Sequence, residues 1–254
     1  MKRRKFMYSA VAAGALPLIT YGNVRDNVQD MEKELYEIRT YEMKFGSKQQ
    51  VLKGYLNNAL GPALRRLGVK QFMLFGELGN SDPAKIWVMI CYPNANSFLK
   101  AQNLHSDTVY STAAASYDAL TSDKTLYNRF SSSLLLAFDG MPNMMAPIEG
   151  ASIFELRTYE GYSEDAVRRK IQMFNEGEID VFLETGLHPM FFGEMIIGPY
   201  NPCLTYMINF KDMEEHDANW KKFSSHPDWK AMSALDKYAN TVSNIRKVFL
   251  KPLT

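Results

Sequence analysis

The sequence predicts an α+β fold made of two βαββαβ halves packed face to face, and three observations carry that expectation. A charged strand is written twice, as YEIRTYE at 36–42 and FELRTYE at 154–160, at an offset of 118. The elements around it recur in the same order at nearly the same offset. Between the two copies lies DGMPNMMAPIEG at 139–150, a glycine- and proline-bearing segment with neither helical nor strand period.

The first strand alternates between two faces, as a half-buried strand does. The helix after it opens at Ser47, with Gln50 completing a capping-box pattern. Val51, Leu52, Tyr55, Leu56, Ala59, Leu60, Ala63 and Leu64 keep a helical period until Gly68, which matches Gly186 in the second copy. FGEL at 75–78 pairs with FGEM at 192–195 at offset 117, and IWVMICY at 86–92 pairs with LTYMINF at 204–210 at offset 118. A second helical region carries NLHSD at 103–107 in one copy and SSHPD at 224–228 in the other. Each copy closes on an apolar run, SSSLLLAF at 131–138 and IRKVFL at 245–250. Each half is therefore a ferredoxin-like split βαβ unit, an antiparallel sheet with helices on one face. The bare faces then cover each other about a pseudo-twofold axis, with residues 31–138 and 151–254 as the halves and 139–150 as the linker.

Composition sets further bounds. With 46% hydrophobic and 22% charged residues among 254, the chain is globular in composition and long enough for two such halves. Residues 1–22 carry four basic side chains and no acid, which leaves 25 basic against 28 acidic residues in the remainder and gives a nucleic-acid partner no electrostatic support. MKRRKF followed by the short apolar stretch MYSAVAAGALPLI reads as an export signal. Arg3 and Arg4 ahead of Lys5, Phe6 and Met7 resemble the twin-arginine pattern, with an ordinary secretory signal as the alternative. Residues 1–30 are thus set aside as a leader, and the mature chain is expected in the periplasm or outside the cell with no membrane span. Cys91 and Cys203 are expected as free, largely buried thiols.

Strand alternation sorts side chains between the faces of each sheet. Placing the more apolar face under the helices sends Glu37, Arg39, Tyr41, Gln71, Phe75 and Glu77 into the shared interior with Trp87 and Met89. The second half sends Glu155, Arg157, Tyr159, His188, Phe192 and Glu194, joined by Thr205, Met207 and Asn209. Two arginines and four carboxylates are too costly to bury unpaired. Either each arginine pairs with neighbouring glutamates to hold the barrel, or the set floors an aromatic-walled pocket for a ligand. His188 stands where the first half has Gln71, and Thr205 where it has Trp87, so the second half holds the titratable base and the more open wall. The plainer reading of His188 is a satisfied core or surface histidine. His226 falls within an S-x-x-D cap, Ser225 to Asp228, with Pro227 in the first helical turn. No spacing of histidines or cysteines points to a metal, no histidine is singled out for haem, and no phosphate loop or nucleophile elbow occurs, so no cofactor is expected.

The E-[IL]-R-T-Y strand of each half, GLHPMFFGEMIIG at 186–198 and ANWKKFSSHPDW at 218–229 resemble the NIPSNAP family, within the α/β dimeric-barrel group. The resemblance spans residues 35–254 and is strongest in the second half; the first half has no tryptophan matching Trp220 or Trp229. It implies an intramolecular dimeric α/β barrel and leaves activity undefined. The leading expectation is a barrel that binds a small, partly apolar ligand, anchored by the arginines. A second is a cofactor-independent enzyme in which His188 or Glu194 removes a proton in a water-poor cavity. A third is a scaffold whose barrel is plugged by its own side chains; association into a homo-oligomer stays open. On the export reading, residues 1–30 fused to a folded reporter should carry it out of the cytoplasm, and replacing Arg3 and Arg4 by lysine should stop it. Unchanged export in that double mutant, measured by fractionation, would return the segment to the ordinary secretory class.

Overall fold

The computed structural model describes residues 33–79 and 81–253, and the export reading of residues 1–30 lies outside them. β1 (Leu35–Met43) leads into α1 (Gln49–Tyr55), which runs through a π-turn at Leu56–Leu60 into α2 (Gly61–Arg66). Next come β2 (Gln71–Glu77), β3 (Lys85–Tyr92), α3 (Ala95–Ala101), α4 (Thr108–Asp118) and β4 (Tyr127–Ala137). The second half repeats the series as β5 (Ile153–Glu160), α5 (Glu164–Met173), a π-turn at Phe174–Glu178, α6 (Ile179–Thr185), β6 (Pro189–Ile197), β7 (Cys203–Phe210), α7 (Met213–Ser225), α8 (Pro227–Ser233) and β8 (Asn244–Pro252). Gly68 and Gly186 end the first helical segment of each half at φ +86° and +76°, a left-handed conformation that a Cβ would strain.

Two helix starts differ from expectation. α1 has Lys48 at its N-cap with no side-chain cap, and the Ser47 hydroxyl is buried without a hydrogen bond. At α8 the cap is His226, whose Nδ1 accepts the Asp228 N–H at 3.3 Å. Ser225, the residue expected there, ends α7 and donates to the carbonyls of Lys221 and Lys222. A hydroxyl held by its own preceding turn is not available to open the next helix.

The eight strands close into one barrel in the order β1-β3-β2-β8-β5-β7-β6-β4. Within each half the ladders are long and antiparallel, as a split βαβ unit requires. The seams between halves are short: β2 meets β8 through three residue pairs and β4 meets β6 through four. Residues 127–133 of β4 and 244–249 of β8 consequently have a strand neighbour on one side only, and at that end the barrel opens.

Apolar side chains form three layers. One packs the helices of the first half on its sheet, through Leu52, Leu56, Leu60, Phe72, Leu74, Val88 and Ile90. A second does the same for the other half, around Phe174, Phe182, Phe192, Tyr206 and Phe223. The third fills one end of the barrel, where Tyr36 meets Phe191 and Phe75 meets Phe154, each with ring centroids 4.8 Å apart across the halves. The segment 139–150 lies against this filled end: the Met144 N–H donates to Glu34 at 2.5 Å, Met145 N–H to the Met190 carbonyl at 2.8 Å, and Ile148 N–H to Asn209 Oδ1 at 2.9 Å.

Each of these buried side chains contributes about 1.5–3 kcal/mol, and the third layer exists only when both halves are present. Expressed alone, residues 31–140 should therefore dimerise or aggregate, as read by size-exclusion chromatography with light scattering. A stable monomer from that fragment would contradict the shared core.

Candidate functional site

The barrel interior holds only some of the residues that the alternation argument sent there. Trp87, Met89, Phe75, Met73, Thr205 and Met207 do face inward. In β1 and β5, however, the inward residues are Tyr36, Ile38 and Thr40, and Phe154, Leu156 and Thr158. Glu37, Arg39 and Tyr41, with Glu155, Arg157 and Tyr159, lie on the opposite, helix-covered face. The ladder explains this: Thr40 pairs with Trp87 and Ile38 with Met89, and directly opposed residues share a face.

Phe192 and Glu194 are displaced for a related reason. Gly193 opposes Thr205 just as Phe75 opposes Trp87, so the structural offset on this strand is 118, and the FGEL/FGEM match at 117 is one residue out of register. A slip of one residue changes the face of every side chain. Phe191 fills the barrel, Phe192 packs under the helices and Glu194 is exposed. His188 sits in the loop before β6 at φ +45°, with Nε2 3.4 Å from Glu215 Oε1. Its carbonyl accepts the Asn209 side-chain amide at 2.7 Å, so buried Asn209 ties that loop and the 139–150 segment together.

Above the filled layer the barrel opens into a cavity of about 250 Å³. Its wall is a ring of hydroxyls from Thr40, Thr158, Thr205, Ser131 and Ser133, with Trp87, Ile38, Leu156, Met195 and Val248 supplying apolar surface. Thr158 and Thr205 hydrogen-bond each other at 2.8 Å. The Trp87 indole N–H donates to Glu77 at 3.1 Å, and Lys85 Nζ stands 3.6 Å from the same carboxylate oxygen. Arg246 bonds Glu160 and stacks 3.9 Å from the Tyr200 ring, in a loop that lines the mouth. Among the described residues no histidine lines the cavity, and the charged groups here are Glu42, Lys85, Arg246 and Lys247 at the rim. Such a site can hold a polar head at its rim and an apolar body against Trp87.

Under the helices, both arginine–glutamate pairs are hydrogen-bonded, although Arg157 Nε is buried without a partner. Glu37 accepts Arg39 Nε at 2.6 Å and Nη2 at 3.0 Å, Ser132 Oγ at 2.6 Å and Tyr92 Oη at 2.9 Å. Burial pushes its pKa up, but the Arg39 charge and these hydrogen bonds outweigh burial and hold the carboxyl below its ordinary value. Glu155 accepts Arg157 Nη1 at 3.0 Å and Trp220 Nε1 at 3.0 Å and lies 3.2 Å from His216 Nε2. Trp220 and His216 were missed because their partner is 65 or 61 residues away in sequence. The absence of a tryptophan in the equivalent first-half helix was the one available signal.

A carboxyl with a lowered folded pKa stabilises the fold above its unfolded pKa, and that stabilisation is lost as pH falls through the folded value. Wild-type protein should thus lose stability below about pH 4.5, the ordinary glutamate value, with Glu37→Gln showing a shallower acid limb in urea unfolding. Arg39→Met should cost about 3–5 kcal/mol at pH 7, because it strands a buried carboxylate. An acid limb unchanged by Glu37→Gln would remove this residue as its source.

The comparisons with known proteins agree with this geometry. The NIPSNAP family model matches residues 154–254. None of the curated proteins matches the chain. Among solved structures, a candidate monooxygenase from Fusobacterium nucleatum shares 11% identity over 88% of this chain and 94% of its own, with a TM-score of 0.57. A candidate monooxygenase from Lactobacillus acidophilus shares 10% identity over 87% and 94%, with a TM-score of 0.58. A variant of chlorite dismutase from Candidatus Nitrospira defluvii shares 6% identity over 87% and 91%, with a TM-score of 0.50. At such identities the likeness is one of fold. Residues 154–254 match the NIPSNAP family model, and they form one half of a single-chain, eight-stranded α/β barrel.

Proposed function

We propose that this chain is an exported binding protein for a small, partly apolar molecule, taken up through the open end of the barrel. The observation that supports the reading is the division of the interior. One end is packed with aromatic and aliphatic side chains and covered by the 139–150 segment, while the other is a hydroxyl-lined cavity beside Trp87. A barrel serving only as scaffold would gain about 0.8 kcal/mol per further buried methylene by filling that space. Threonine and serine hydroxyls can donate to or accept from a carbonyl or hydroxyl group, and the rim cations Lys85 and Arg246 are already paired with Glu77 and Glu160, so the site favours a neutral polar head. The cavity is smaller than a drug-sized pocket, which favours a compact ligand.

The anchoring roles expected of Arg39 and Arg157, which lie outside the barrel, pass to the wall hydroxyls of Thr40, Thr158, Thr205, Ser131 and Ser133. The enzymatic alternative relied on His188 or Glu194 as base, and neither lines the cavity. The monooxygenase names belong to structures that share the fold alone. Among the described residues no helix is long and apolar enough to cross a membrane.

Native mass spectrometry of protein purified without refolding tests the proposal. Wild type should retain a small molecule, and Ser133→Trp, which places an indole in the mouth from a half-buried position, should lose it while its melting temperature stays within a few degrees. No adduct on wild type, or an equally abundant adduct on the variant, would dispose of the barrel mouth as the site.

A further inference from the structure

The two halves treat the same buried ion pair differently. In the second half, α7 lays the Trp220 ring 4.4 Å from the Arg157 guanidinium, and both Trp220 and His216 engage Glu155. The helices that cover the two sheets start at equivalent places, since the N-cap residues Asn94 and Asp212 each bond the N–H three residues on and lie 118 apart. Counting from those caps, the first-half counterpart of Trp220 is Gln102 and that of His216 is Phe98. α3 stops at Ala101, and Gln102 is exposed with its amide turned back to the Phe98 carbonyl at 3.1 Å.

The space that Trp220 fills in one half is therefore open in the other. It forms a cleft of about 410 Å³, floored by Glu37 and Arg39 and walled by Tyr55, Phe98, Tyr110 and Phe130. The Tyr55 and Tyr110 hydroxyls bond each other at 2.9 Å, and Phe130 stands 6.0 Å from the Arg39 guanidinium. Glu37 does not need the missing indole, because Tyr92 and Ser132 supply hydrogen bonds to it from the sheet itself. The floor is thus satisfied while the cleft stays open.

We propose that this cleft is a second binding site, for a neutral planar aromatic molecule of the indole or phenol class that lies on Arg39 as Trp220 lies on Arg157. The guanidinium presents a flat cationic face suited to a ring. Its charge is already balanced by Glu37, so the floor does not select an anion. The tyrosine hydroxyls offer a polar edge for a ring N–H or O–H. This site is separate from the barrel mouth and does not depend on it: Ser132 faces the cleft, and the next residue, Ser133, faces the mouth.

Indole is the probe, titrated into the intact protein and followed by NMR. Saturable binding is expected, with intermolecular NOEs from indole to the Tyr55 and Tyr110 rings. Gln102→Trp, at an exposed position, should fill the cleft from within, weaken indole at least about tenfold, the equivalent of 1.4 kcal/mol, and raise the melting temperature. Ser133→Trp should leave indole binding unchanged. No saturable binding, NOEs absent from both tyrosines, undiminished binding to Gln102→Trp, or loss of binding in Ser133→Trp would each overturn the assignment; the last would move indole to the mouth.

Discussion

Each sheet here has one face that its own helices do not cover, and the molecule is organised around that deficit. A four-stranded sheet with helices on one side leaves an apolar face in water unless something else packs on it. The chain answers by writing the unit twice and joining the copies edge to edge into a closed barrel. The closure rests on two seams of three and four residue pairs, while the ladders within each half are much longer. Aromatic contacts across the halves, Tyr36 with Phe191 and Phe75 with Phe154, accompany those short seams.

Short seams also decide where the interior is open. Away from the paired stretch, β4 and β8 each lose one neighbour, and side chains near those free edges cannot meet across the barrel. The residues there are small or hydroxylated on the first-half side, Ser131 and Ser133, and long or branched on the other, Arg246 and Val248. A filled end and an open end thus follow from one topological fact. The candidate site owes its place to strand pairing rather than to any catalytic motif.

Charge is handled outside the barrel, between sheet and helices. There each glutamate finds enough donors to make burial tolerable: Tyr92 and Ser132 for Glu37, Trp220 and His216 for Glu155. The two solutions are chemically equivalent for the carboxylate and sterically opposite for the space above it. Donors from the sheet leave the first-half cleft open, whereas donors from α7 fill its counterpart. Repeated units can diverge in this way because a satisfied carboxylate does not record which groups satisfied it.

Much of the architecture was legible in the sequence. The duplicated strand, the matching glycines and the aperiodic segment 139–150 determined two βαββαβ halves, since periodicity and turn chemistry act locally and survive without knowledge of neighbours. Which face of β1 and β5 points inward was not legible. Alternation defines two faces but does not name them, and the apolar Tyr36–Ile38 face was as well suited to a barrel as to a helix layer. The FGEL/FGEM match misled for a sharper reason: identity of letters outweighed the offset of 118 kept by the strands around it, and one residue of slip exchanges inside for outside. The sequence alone thus determined the elements, their order and the residue types available to a site. Only the tertiary structure decided that Thr40, Thr158 and Trp87 share a cavity while Arg39 and Arg157 do not, because strand register and barrel closure are contacts between residues far apart in the chain, and no local pattern encodes them.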